Sequence, residues 1–162
     1  ISLSDGTSIP QLGLGVYKVP PADTADLVAG AIDLGYRHVD TAALYKNEAE
    51  VGAGVRASGA DRTELYLTSK VWNDAHGVEE TRVAFLESLE KAGLDYWDLY
   101  LIHWPAPTQN RYVEAWRALI ALREQGLVRS IGVSNFEPHH LQRLVDETGV
   151  APVVDQVELH PW

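Results

Sequence analysis

The stretch Gly35-Tyr36-Arg37-His38-Val39-Asp40-Thr41-Ala42-Ala43-Leu44-Tyr45-Lys46-Asn47-Glu48 reads as a short apolar strand followed at once by an acid and a phenol, Asp40 and Tyr45. An α/β barrel does its chemistry at that point, on the loops beyond the C-terminal ends of its strands. Two later runs finish the same way: Leu65-Tyr66-Leu67-Thr68-Ser69-Lys70 ends in an amine and Leu99-Tyr100-Leu101-Ile102-His103 in an imidazole. Together they bring an acid, a phenol, an ammonium and an imidazole to one rim, a set that packing alone does not call for.

Working outward, β-rich apolar runs recur at residues 12–16, 37–40, 65–71, 97–103, 128–133 and 153–159, and amphipathic stretches follow them. They start roughly 24 to 32 residues apart, the spacing of strand-plus-helix units. The intervening stretches predict helices with apolar faces: Leu27, Val28, Ala31 and Ile32; Val83, Leu86 and Leu89; Trp116, Leu119 and Ile120 with the stem of Arg123; and Leu141, Leu144 and Val145. Residues 48–57 are the least helix-like, since they hold two glycines. Pro138 suits a first helical turn, and Gly35, Gly93 and Gly126 suit left-handed caps. Residues 1–10 predict a hairpin around Asp5-Gly6 that covers the barrel bottom.

Strict alternation implies parallel strands joined by right-handed crossovers, which leaves a doubly wound open sheet or a (β/α)8 TIM barrel. The open sheet would hold a dinucleotide on a Gly-x-Gly-x-x-Gly turn after the first strand. The chain reads Gly13-Leu14-Gly15-Val16-Tyr17-Lys18 there, without the third glycine or a helix start. Polar groups instead end nearly every run: Lys18, Asp40, Lys70, His103, Ser134 with Asn135, and Gln156. Such a ring belongs to the C-terminal face of a barrel. A closed barrel needs eight units and about 250 residues. The 162 residues are therefore expected to supply the first six strands and five helices, as one domain (1–162) that is the N-terminal portion of a longer enzyme and inactive alone.

Composition narrows the partners. With 46% hydrophobic and 22% charged residues the chain is ordinary globular material. A formal net charge of -10 argues against nucleic acid or an anionic membrane surface. There is no cysteine, hence no disulfide, thiolate nucleophile or thiolate metal site. No signal pattern or long apolar run is present, so a soluble, cytoplasmic protein is expected. His139 and His140 are adjacent on a predicted helix and share no face, so no metal is expected. Glu79 and Glu80 suit a helix's first turn, His38 the barrel interior, and His76 the loop after the third strand.

A carbonyl that receives hydride develops an alkoxide and needs a proton donor near neutral pH. Tyrosine, with an ordinary pKa of about 10, needs help in that task. Lys70 is placed to lower the pKa of Tyr45, and Asp40 to hold Lys70 in its charged form. His103 would orient the carbonyl oxygen or join a proton relay. Each residue also has a plainer explanation by itself: a loop anchor, a structural ion pair, a core histidine. The convergence of all four on strand ends favours chemistry.

The 35–48 stretch, Thr68-Ser69-Lys70-Val71-Trp72, Leu101-Ile102-His103-Trp104-Pro105 and Ile131-Gly132-Val133-Ser134-Asn135-Phe136 resemble the motifs of the aldo-keto reductases along the whole chain, and most closely the bacterial branch that includes 2,5-diketo-D-gluconate reductases. The resemblance implies Tyr45 as general acid, Asp40 and Lys70 as its tuning pair, and His103 as the substrate-orienting group. It implies that Ser134, Asn135 and Gln156 bind the nicotinamide carboxamide of NADPH, that Asp40 and residues Val16, Tyr17 and Lys18 also touch the cofactor, and that Tyr17, Trp72 and Trp104 join Tyr45 and His103 around the substrate. Tyr17 departs from the Trp usual in the family. Trp97 and Trp116 lack a rim position and predict core packing. NADPH rather than NADH rests on the resemblance alone, because the family's clamp for the 2′-phosphate falls beyond Trp162. The expected function is an NADPH-dependent carbonyl reductase, monomeric when complete. The alternative is a cofactor-binding regulatory barrel such as the potassium-channel β subunits, which resemble the same family.

Overall fold

In the computed structural model, which describes residues 1–161, the apolar runs form one parallel sheet with its strands in sequential order. They are β1 Leu14–Gly15, β2 His38–Asp40, β3 Tyr66–Val71, β4 Trp97–Ile102, β5 Val128–Ser134 and β6 Asp155–Gln156. The helices α1 Pro21–Asp33, α2 Glu48–Ser58, α3 Val78–Ala92, α4 Tyr112–Glu124 and α5 Pro138–Thr148 connect them. These are six strands and five helices of a TIM barrel, the architecture that the polar strand ends favour over a doubly wound sheet. β1 and β6 are two residues long, shorter than expected. Each bonds to one neighbour, so strand geometry is held only along that short ladder.

Alternate residues of each strand point to opposite faces. Val39, Leu67, Val71, Tyr100, Ile102, Ile131 and Val133 pack outward against Val28, Ile32, Val51, Phe85, Trp116 and Leu119 of the helices, in the main core. Each such aliphatic side chain removed from water contributes roughly 1.5–3 kcal/mol. The concave face carries a smaller cluster, Tyr66, Leu99 and Leu101, with Ile9 packed against it. β3 and β4 are buried throughout because both faces of the sheet are covered, and their polar members Thr68, Ser69, Lys70 and Asp98 are paired with His38, Glu48, Asp40 and Arg62. At the far end the hairpin forms as expected, through a Ser2–Ser8 bridge with Gly6 at φ 86°. Asp5 Oδ2 accepts a 2.7 Å hydrogen bond from Ser130 Oγ of β5, so residues 1–10 cover the barrel bottom and leave the opposite rim open.

Some helix faces differ from expectation. On α3, Val83 and Leu86 are exposed, and the buried side is Thr81, Phe85, Ser88, Leu89 and Ala92. Thr81 and Ser88 can turn inward because Ala75 O and Glu48 Oε1 accept their hydroxyls, so apolar residues alone misplace the stripe. Leu27 of α1 and Val145 of α5 are likewise exposed, while Thr24 is buried and bonds Pro20 O. Residues 48–58 are a complete helix despite their glycines. A Cβ at Gly52 would run into Ala92 O of α3, and one at Gly54 would lie 2.5 Å from Ala25 O of α1. The glycines mark close helix crossings rather than a weak helix.

Candidate active site

Parallel register brings the predicted polar residues to one rim. Asp40 ends β2, Lys70 is the fifth residue of β3, and His103 follows β4. Lys70 is fully buried; its ammonium donates to Asp40 Oδ1 and, at 2.8 Å, to Thr41 O. The other Asp40 oxygen accepts from Gln156 Nε2 at 2.9 Å, a bond that crosses the concave face from β6 to β2. Tyr45 sits on the 3-10 turn Ala43–Tyr45. Its ring centroid lies 5.3 Å from Lys70 Nζ, 5.0 Å from the Tyr17 ring and 5.6 Å from the His103 ring. Trp72 stacks edge-on to His103 at 5.1 Å. Trp104 stands apart, 45% exposed, with no ring contact to this cluster among the described residues. Trp97 and Trp116 are core residues, as expected.

The charges depart from the sequence expectation in one respect. Burial, then the charge of Asp40, pushes the Tyr45 phenol up to about 12, so the predicted lowering by Lys70 is absent. The lysine's protons are directed at Asp40 and Thr41, and no hydrogen bond joins Lys70 to Tyr45 Oη among the described residues. The phenol is therefore held as a protonated donor. Burial also lowers the pKa of Lys70, with Asp40 opposing that shift. His103 is pulled down to about 4 by burial and then by Lys70, so at neutral pH it is an uncharged imidazole. Its Nδ1 is buried and unpaired among the described residues.

Around these groups lie the residues that the resemblance assigns to a nicotinamide. Asn135, in left-handed conformation at φ 61°, donates from Nδ2 to His103 O at 3.0 Å and to Ser134 Oγ at 3.1 Å. Ser134 Oγ donates to Gln156 O at 2.7 Å. Both N–H donors of Asn135 and one of the two of Gln156 are thus used within the protein, and their side-chain carbonyl oxygens, with the second N–H of Gln156, are the groups left for a ligand among the described residues. Val16 is buried, Tyr17 is exposed, and Lys18 is left-handed at φ 62° with Nζ 5.1 Å from the Tyr17 ring. A groove of about 920 Å³ adjoins the site at Trp72, between Leu44 and Lys46 on one side and Glu79, Val83 and Glu87 of α3 on the other.

Sequence reasoning left Asn47 and Glu48 without roles. Both are buried, and Glu48 Oε1 accepts from Ser69 Oγ at 2.5 Å and Ser88 Oγ at 2.6 Å. The one signal the sequence carries for them, polarity at the start of a helix, is one that an ordinary cap also produces. His76 is buried rather than merely in a polar loop, and burial and Arg111 lower its pKa to about 4. His38 faces the interior as expected, 3.0 Å from Thr68 Oγ1. His140 Nδ1 accepts from Glu137 N at 3.1 Å in a capping box, and no group of three His, Cys, Asp or Glu suited to a metal occurs among the described residues. No helix among them is long and apolar enough to cross a membrane.

A sequence profile described as Aldo/keto reductase family matches residues 9–162. The methylglyoxal reductase DkgA of Escherichia coli is 52% identical over 161 residues, which cover 99% of this chain and 58% of that protein. Among solved structures, an aldo/keto reductase from Brucella melitensis superposes with a TM-score of 0.96 at 50% identity, over 99% of this chain and 62% of that one. A Gox0644 variant solved in complex with NADPH gives 0.94 at 53% identity, over 99% and 58%. The chain thus spans a little under three fifths of the curated relative it matches.

Proposed function

The chain belongs to the aldo/keto reductase family, and on that premise we propose that the whole protein is an NADP(H)-dependent oxidoreductase that reduces aldehydes and ketones to alcohols. Methylglyoxal, the compound in the DkgA relative's name, is the first substrate to try. The observation that carries the proposal is the contact of Tyr45 with His103, beside the buried Asp40–Lys70 pair, at the open rim of the sheet.

The donor set around the nicotinamide position fits a carboxamide, which presents both N–H donors and a carbonyl acceptor. Asn135 and Gln156 offer side-chain carbonyl oxygens to its N–H groups, the second N–H of Gln156 Nε2 is left for its carbonyl, and Ser134 Oγ, whose proton goes to Gln156 O, can act only as an acceptor. Val16, Tyr17, Lys18 and Asp40 would complete the protein side of that site. When bound, NADPH supplies the hydride. The protein's part is to position the carbonyl and to furnish one proton. Neutral His103 holds the carbonyl oxygen, and Tyr17 and Trp72, whose rings pack on Tyr45 and His103, wall the substrate. Tyr45 Oη then gives its proton to that oxygen as the alkoxide develops. A pKa near 12 does not prevent the transfer, because an alkoxide is a base comparable with hydroxide, whose conjugate acid water stands at about 15.7. Asp40 keeps Lys70 charged and fixed beneath the phenol ring. The reading includes a monomeric, cytoplasmic enzyme acting on small molecules, in keeping with its net charge of -10.

Tyr45→Phe in the full-length protein tests the assignment. Turnover of methylglyoxal with NADPH should fall by about 10²–10⁴-fold, the range of general acid catalysis, while NADPH binding measured by fluorescence stays within about twofold. Retained turnover would remove Tyr45 as the donor.

A further inference from the structure

We propose that Asn47 is a positioning residue that latches the loop carrying Tyr45 to the turn carrying Tyr17 and Lys18. The proposal rests on Tyr45 as proton donor and deepens that assignment. Asn47 is fully buried, and its amide is used at both ends. Nδ2 donates to Val16 O at 3.1 Å and Val19 O at 3.4 Å, while Oδ1 accepts from Thr41 Oγ1 at 2.8 Å.

Each bond closes a loop of the site. Between Val16 and Val19 lie Tyr17, whose ring packs on Tyr45, and left-handed Lys18. Between Thr41 and Asn47 lie Tyr45 and left-handed Lys46 at φ 57°. Residues with a Cβ disfavour that conformation, so both loops need an external hold. The latch also reaches the charge pair, because Thr41 O receives Lys70 Nζ and Thr41 N donates to Thr68 O of β3 at 2.9 Å. On the other side Glu48 is tied to Ser69 and Ser88, which fixes the backbone from which the Asn47 side chain projects. A primary amide suits the position because it joins two donors to one acceptor on a short stem. A carboxylate would turn an acceptor toward two carbonyls, and a hydroxyl cannot span both loops.

The two arms can be cut separately in the full-length protein. Asn47→Asp keeps the acceptor for Thr41 and loses the donors to Val16 and Val19. Thr41→Val loses its hydroxyl and keeps the backbone carbonyl that holds Lys70, and Thr41→Ser restores the hydroxyl. The readouts are kcat per NADPH-binding site with methylglyoxal, NADPH affinity, and hydrogen–deuterium exchange over residues 16–19 and 41–47. Thr41→Val is expected to lower kcat by about tenfold or more, as a displaced catalytic group does, with NADPH affinity within about twofold. Asn47→Asp should lower kcat and weaken NADPH binding as well, and both variants should exchange faster over these loops. Thr41→Ser should recover kcat. A purely structural role would reduce the amount of folded protein and leave kcat per binding site unchanged. That result, or unaltered exchange in both variants, overturns the proposal. If Asn47→Asp does not fold, Thr41→Val and Thr41→Ser decide. If the unsubstituted protein reduces no carbonyl, the assignment of Tyr45 fails, and the exchange arm alone decides whether Asn47 latches the loops.

Discussion

Asp40→Asn keeps the shape of the side chain and removes a charge next to a fully buried ammonium. Lys70 is then left with neutral acceptors, among them Thr41 O. If it stays charged, the loss is that of one partner from a buried ion pair, about 3–5 kcal/mol. If it sheds its proton, the cost at pH 7 is that of deprotonating a lysine with an ordinary pKa of 10.5. At about 1.36 kcal/mol per pH unit that comes to about 5 kcal/mol. Both routes predict a loss of about 3–5 kcal/mol at pH 7, a large share of the 5–15 kcal/mol typical of whole domains. They differ in their dependence on pH. The folded pKa of Lys70 is already lowered by burial and falls further without Asp40. Between that folded value and 10.5 the unfolded chain binds the proton and the folded chain does not, so stability rises with pH, by about 1.4 kcal/mol per unit. Urea denaturation of the variant and the unsubstituted protein between about pH 6 and pH 9 measures this. A deficit that shrinks as pH rises identifies a neutral Lys70, and a constant deficit identifies a charged one. A loss below about 1 kcal/mol, the worth of an exposed pair, would refute the reasoning by showing that water screens the ammonium.

Gly52→Ala should destabilise the fold by about 3 kcal/mol or more, at the upper end of overpacking costs, because the new methyl meets a backbone carbonyl of α3 that cannot swing aside; a melting temperature equal to that of the unsubstituted protein would contradict the crossing. His76→Leu should flatten the acid limb of the stability curve. The folded pKa of His76, about 4, lies below its ordinary 6.5, so the unfolded chain binds the proton first and stability is lost as pH falls from 6.5 towards 4; urea midpoints over this range that keep their slope in the variant would count against it.

The sheet and the catalytic candidates were legible because a strand has a period of two and its end has a fixed meaning in this architecture. Asp40, Lys70 and His103 followed from that rule. The direction of the Tyr45 shift did not, because the balance between burial and a neighbouring charge depends on where the lysine's protons point. The inward side of α3 was misplaced because Thr81 and Ser88 find acceptors that are distant in the chain or hidden in a turn. Asn47 was illegible for a related reason. Its partners Val16 O and Val19 O are backbone atoms 31 and 28 residues away, and a carbonyl carries no residue-specific signature. The glycines of α2 are legible and their purpose is not, since sequence shows the missing side chain and conceals the neighbour that requires its absence.

The hydrogen bond from Gln156 to Asp40 joins residues 116 positions apart. An emerging polypeptide can build the acid–lysine pair from β2 and β3 early, yet it cannot complete the hydrogen bonding of that acid until the sixth strand arrives. Long-range contacts of this kind form late and slowly. The candidate site should therefore mature later than the β2–β3 pair, and a nascent chain would hold an incompletely assembled acid until the sheet has curled far enough for β2 and β6 to meet.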